Sequence, residues 1–87
     1  MKNTFHLILA SVGETRFDGA ALSATIPTTA GEITILPHHE PLVATLKPGS
    51  ITVRLHAQAG ETLGEAKNFA VEGGVLECSA NRVVVLL

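Results

Sequence analysis

Leu22-Ser23-Ala24-Thr25-Ile26, Pro27-Thr28-Thr29-Ala30-Gly31 and Glu32-Ile33-Thr34-Ile35-Leu36-Pro37 form the continuous stretch that decides the fold. Apolar and polar residues alternate on both sides of a turn running from Pro27 to Gly31. A period of two puts successive side chains on opposite faces of a strand, whereas a helix repeats about every 3.6 residues. The same period extends outward in both directions. Phe5, Leu7 and Leu9 alternate with His6 and Ile8; Ile51, Val53 and Leu55 with Thr52, Arg54 and His56; Phe69 and Val71 with Asn68 and Ala70. Turn signals fall between the runs at Gly13-Glu14, Asp18-Gly19, Pro37, Pro48-Gly49, Gly60, Gly73-Gly74 and Ser79-Ala80-Asn81. Short strands so punctuated predict an all-β sandwich or barrel. One short helical turn is expected around His38-His39-Glu40.

At 87 residues the chain makes a single domain with one core. Hydrophobic residues are 46% of the chain and charged residues 16%, against about 25% in an average domain, which excludes intrinsic disorder. A net charge of −2 with six Lys and Arg leaves no basic footprint for nucleic acid. The lone Cys78 forms no internal disulfide. No apolar run reaches the roughly 18 residues of a membrane-spanning helix. Lys2 followed by Phe5 to Ala10 faintly imitates a signal peptide, but the run is short, holds His6 and enters Gly13-Glu14. It reads as the first strand. A surface this poor in charge points to partial cover by a partner. The last run, Val83 to Leu87, is apolar at every position, the mark of a strand covered on both faces.

Catalytic equipment is sparse. His38-His39-Glu40 has metal-ligand or acid–base residue types, yet neighbours in an extended segment point apart. A zinc site needs three or four ligands, and His6 and His56 would complete one only if the fold happened to bring them there. Gly73-Gly74 lacks the lysine and following helix of a phosphate loop and reads as a kink between strands. Cys78 has no histidine near it in sequence and reads as a strand residue whose burial the alternation leaves open. No Ser-His-Asp set, carboxylate pair or aromatic platform stands out. From the residues, no catalytic or metal site and no cofactor are expected, and a binding or structural module is favoured over an enzyme.

Pro27 to Val43 resembles the signature of the epsilon subunit family of F-type ATP synthases. Phe5-His6-Leu7, Phe17-Asp18-Gly19, Leu46-Lys47-Pro48-Gly49, Phe69-Ala70-Val71-Glu72-Gly73-Gly74-Val75-Leu76-Glu77 and Asn81-Arg82-Val83-Val84-Val85-Leu86 are similar to that family in order and spacing, so the likeness covers essentially the whole chain. The resemblance implies a flattened antiparallel β-sandwich of about ten short strands over residues 1–87. It implies a non-catalytic rotor subunit of the central stalk, bound to the gamma subunit and the membrane rotor ring, which helps couple proton or sodium ion flow to ATP synthesis. It implies a peripheral place on the cytoplasmic face of the bacterial plasma membrane. Carried over by position, Glu32 faces the ring, while His39, Ser11 and Ala44 lie near gamma; His39 and its flanking prolines also read simply as turn-shaping residues.

Departures from the family are specific. Glu40 stands at a usually small apolar position, Val75 where a larger residue is common and Cys78 where Val is common. The sequence ends at Leu87, before the C-terminal helical hairpin of family members. The expectation is therefore a single sandwich domain without that hairpin, which neither binds nucleotide nor blocks ATP hydrolysis. Two readings compete: a free-standing β-sandwich adaptor, and a small barrel holding a metal through His38, His39 and another histidine.

Overall fold

A computed structural model describes residues 3–55 and 65–87. Nine strands form among the described residues: β1 (Phe5–Ser11), β2 (Glu14–Ala21), β3 (Ser23–Thr28), β4 (Gly31–Ile35), β5 (Leu42–Leu46), β6 (Gly49–Arg54), β7 (Ala66–Val71), β8 (Gly74–Ser79) and β9 (Arg82–Leu86). The all-β sandwich class holds, with nine strands where about ten were expected. His56 and Gly60 lie outside the described residues.

The strands pair in the order β2-β1-β9-β8-β5-β3-β6-β7, with β4 on the other side of β3. The sheet curls at β3. Ser23–Thr25 pair with β6, while Thr28 meets Leu46 of β5. One layer is thus β2-β1-β9-β8-β5 and the other β4-β3-β6-β7. Between them lie Phe5, Leu7, Leu9, Val83, Val85, Leu76 and Cys78 from the first layer and Ala24, Ile26, Ile35, Ile51, Val53 and Val71 from the second, all buried. Each fully buried Leu, Ile or Val contributes about 1.5–3 kcal/mol of transfer free energy. At the open edge, the rings of Phe17 on β2 and Phe69 on β7 meet edge-on, 6.0 Å between centroids.

Four local readings change. The sandwich is not wholly antiparallel: β1 and β9 run parallel, from His6↔Arg82 to Ala10↔Leu86. Parallel neighbours need a long crossover connection, and here that connection is the rest of the chain. Asp18-Gly19 is no turn but lies inside β2, paired with Ile8 and Leu7. Asp18 is held there by His6, whose Nε2 is 2.6 Å from Asp18 Oδ1. The turn after β3 narrows to Thr29-Ala30, because Thr28 is buried and its hydroxyl donates to the Gly31 carbonyl and accepts from the Ala30 amide. No helix forms at His38–Glu40. His38 takes φ 64°, and one left-handed residue between Pro37 and Pro41 reverses the chain without a helical turn.

Gly73-Gly74 is the predicted kink. Gly74 sits at φ 137°, and a Cβ there would collide with the Leu86 carbonyl of the neighbouring strand. Only glycine fits this close approach.

Candidate partner-binding face

Strand parity builds this face. With Leu76 and Cys78 turned into the core, Val75 and Glu77 must turn outward. The same rule turns Val43 and Thr45 out on β5, Val84 and Leu86 out on β9, and Ile8 and Ala10 out on β1. The register joins them into two rows across the layer. One row is Val43–Glu77–Val84–Ile8; the other is Thr45–Val75–Leu86–Ala10. Val43 is 70% exposed, Leu86 58% and Val75 46%. Val43, Val75, Val84 and Leu86 surround Glu77, the one charged group among these five side chains. An apolar patch centred on a single carboxylate fits a protein surface that is apolar with one cation opposite.

The last strand therefore divides in two. Val83 and Val85 are buried, while Leu86 is exposed and Val84 half-exposed. The sandwich covers one face of this doubly apolar strand and leaves the other open. Sequence reasoning flagged this strand but missed Val43 and Val75. Each looks like ordinary strand valine, and only the pairing of β5, β8 and β9 places them side by side.

The four candidate interface residues do not come together. Register places the end of β1, the end of β5, the start of β8 and the end of β3 at one end of the sandwich. Ser11 and Glu32 belong to this end. Glu32 is exposed, one residue beyond the turn shaped by Thr28. Ser11 is half-buried and pairs with Glu14 at the hairpin whose tip, Val12, is fully exposed. His39 lies at the opposite end, half-buried, its Nδ1 bonded 2.7 Å from the Glu40 carbonyl. Ala44 is half-buried and shares the inward face with Leu42 and Leu46, opposite Leu76. It adjoins a groove lined by Thr28, Ala30, Ile33 and Leu42, where β5 parts from the β3–β4 hairpin.

Two of the histidines proposed for a metal have ring partners of their own. The ring of His6 is engaged by Asp18 and that of His39 by the Glu40 carbonyl. Among the described residues no three His, Cys, Asp or Glu side chains lie close enough to hold a metal ion. Cys78 is buried on the core face, and burial pushes its thiol pKa up, which suppresses the nucleophilic thiolate.

Comparison with known proteins supplies the family. The model of the β-sandwich domain of ATP synthase delta/epsilon chains matches residues 4–87. The chain is 36% identical over 84 residues to the ATP synthase epsilon chain of Delftia acidovorans, covering 97% of this chain and 56% of that one. It is 37% identical over 83 residues to the epsilon chain of Bordetella parapertussis, covering 95% and 55%. The chain thus spans just over half the length of these curated relatives. In fold it is similar to a chain of the Euglena gracilis mitochondrial ATP synthase, solved as OSCP/F1/c-ring, with a TM-score of 0.82 at 24% identity, over 99% of this chain and 51% of that one. A chain of the Tetrahymena thermophila mitochondrial ATP synthase central stalk and c-ring gives a TM-score of 0.72 at 20% identity, over 93% and 60%. With its sandwich architecture and a family match over nearly its whole length, the chain belongs to the ATP synthase epsilon chains, as their N-terminal β-sandwich domain.

Proposed function

We propose that this domain is a coupling element of the ATP synthase rotor that performs no chemistry of its own. It binds the gamma subunit through the outer face of β5, β8 and β9. The end bearing Glu32 and Val12 stands on the membrane rotor ring. The observation that carries this reading is the outer-face patch of Val43, Val75, Val84 and Leu86 around Glu77. A rotor subunit must transmit torque through a rigid contact, and a sheet face packed on an apolar core supplies one. Glu32 offers the ring a carboxylate on a turn held by Thr28. In a bacterial cell the whole assembly places the domain peripherally, on the cytoplasmic face of the plasma membrane.

Calorimetry of the purified chain against a recombinant gamma subunit from the same source tests the reading. One-to-one binding with a negative heat-capacity change is expected, since apolar area is buried. A folded chain that gives no heat with gamma overturns it.

A further inference from the structure

The β8–β9 hairpin turn is chemically odd. Ala80 and Asn81 both have positive φ, 51° and 60°, as in a type I′ turn. Such turns favour Asn followed by Gly, because both central residues are left-handed. Here Ala occupies the first place and Asn the second. The hairpin would close better with glycine at position 81, so the Asn81 side chain has a use beyond the turn.

That use is visible in its bonds. Asn81 Oδ1 accepts from the His38 amide at 2.7 Å, from a residue 43 positions away. Its Nδ2 donates to the Thr4 carbonyl at 2.9 Å, 77 positions away. Its own carbonyl accepts from the His6 amide at 3.2 Å. An amide N–H only donates and a carbonyl only accepts, so these partners fix the carboxamide's orientation. No other side chain of this size offers both roles while tolerating a left-handed backbone. His38 is itself left-handed, at φ 64°, and its amide is the point where the loop between β4 and β5 meets the hairpin turn.

We propose that Asn81 is a positioning residue for the His38–Glu40 loop, locking it against the start of β1 and so fixing the entry to β5, where exposed Val43 is offered to the partner subunit. The partner in this statement rests on the rotor-stalk reading above; the lock does not. Asn81→Gly keeps the turn and removes both side-chain bonds. Asn81→Asp keeps an acceptor for the His38 amide and loses the donor to Thr4.

The test is amide exchange of the 87-residue chain, read residue by residue by NMR, beside calorimetry with gamma. In Asn81→Gly the His38 amide should exchange about tenfold faster or more, with Val83 and Val85 unchanged, as expected of local rather than global opening. Affinity for gamma should fall with it. Asn81→Asp keeps the acceptor for His38 but turns an oxygen toward the Thr4 carbonyl, so its protection and affinity should fall between those of the glycine variant and the unaltered chain. The lock is overturned if His38 exchange is unchanged in Asn81→Gly, if the acceleration spreads evenly over β8 and β9, or if the aspartate protects His38 as fully as asparagine. The link from the loop to the partner face is overturned if His38 loosens and gamma affinity holds. Failure of the unaltered chain to bind gamma strikes the rotor-stalk reading instead, and His38 exchange then decides the lock alone.

Discussion

The two faces of the β5–β8–β9 layer are made of the same kinds of residue and have opposite fates. Inward lie Leu46, Leu76, Cys78, Val83 and Val85, each at most 3% exposed. Outward lie Val43, Val75, Val84 and Leu86, open to solvent around Glu77. Folding satisfies the first set. The second set contributes little to the isolated domain, since its apolar surface stays wet. On the proposed reading it contributes when gamma covers it, so that hydrophobicity serves two successive events, one within the chain and one between chains.

Adjacent residues of β8 provide the sharpest way to break that division. Leu76→Ala should cost about 2–5 kcal/mol of stability, lost transfer energy plus the cavity left behind. For a domain of this size that lowers the thermal midpoint by roughly 4–8 °C per kcal/mol, read by calorimetry. Val75→Ala, one residue away on the other face, should shift stability by no more than about 0.5 kcal/mol. Equal losses from the two substitutions would show that the outer face is structural.

Leu86→Ser probes the outer face by function. Its folding cost should again be about 0.5 kcal/mol or less, while affinity for gamma should drop about tenfold, some 1.4 kcal/mol. Unchanged affinity would move the partner to another surface. Glu32→Lys probes the far end of the sandwich. It should impair coupled ATP synthesis in the assembled enzyme while leaving the midpoint of the isolated domain within a few degrees. If midpoint and coupling fall together, Glu32 shapes the turn and does not contact the ring.

The smallest effect belongs to Cys78. Burial raises its pKa, so the folded state holds the thiol proton more tightly than the unfolded chain. Its stabilising contribution is complete below the ordinary thiol pKa and is lost as pH rises through the folded one. Stability of the unaltered chain should therefore decline on the alkaline side more steeply than that of Cys78→Ala. Parallel curves would mean the thiol is more accessible than its position on the core face implies.

Much of this was legible in the residues. The alternation in Phe5–Leu9, Ser23–Ile26 and Ile51–Arg54 specified strands and their inward faces, because burial on one side of a pleated strand imposes a period of two. Gly73-Gly74 announced a kink, and Gly74 proved to be the site of a backbone contact that no side chain allows. Asp18-Gly19 misled, since the residue types of a turn also occur in an edge strand when a partner such as His6 holds the aspartate. Of the candidate site, Glu32 emerged exposed at one end and His39 half-buried at the other, while Ala44 proved to point inward. Of the outer-face rows only the β9 part was legible, as a doubly apolar strand, for the rows are assembled from four strands.

The amino-acid order alone determined the strand class, the Gly73-Gly74 kink and the family likeness, all of which are written in neighbours or in fixed short spacings. Only the tertiary structure decided which face of Val83–Leu86 is covered, that β1 lies parallel to β9, and that Thr4, His6, His38 and Asn81 meet at one end. The physical reason is one of range. A local pattern states that a side chain must leave water, but contacts between residues 43 or 77 positions apart leave no periodic trace and exist only once the sheet has closed.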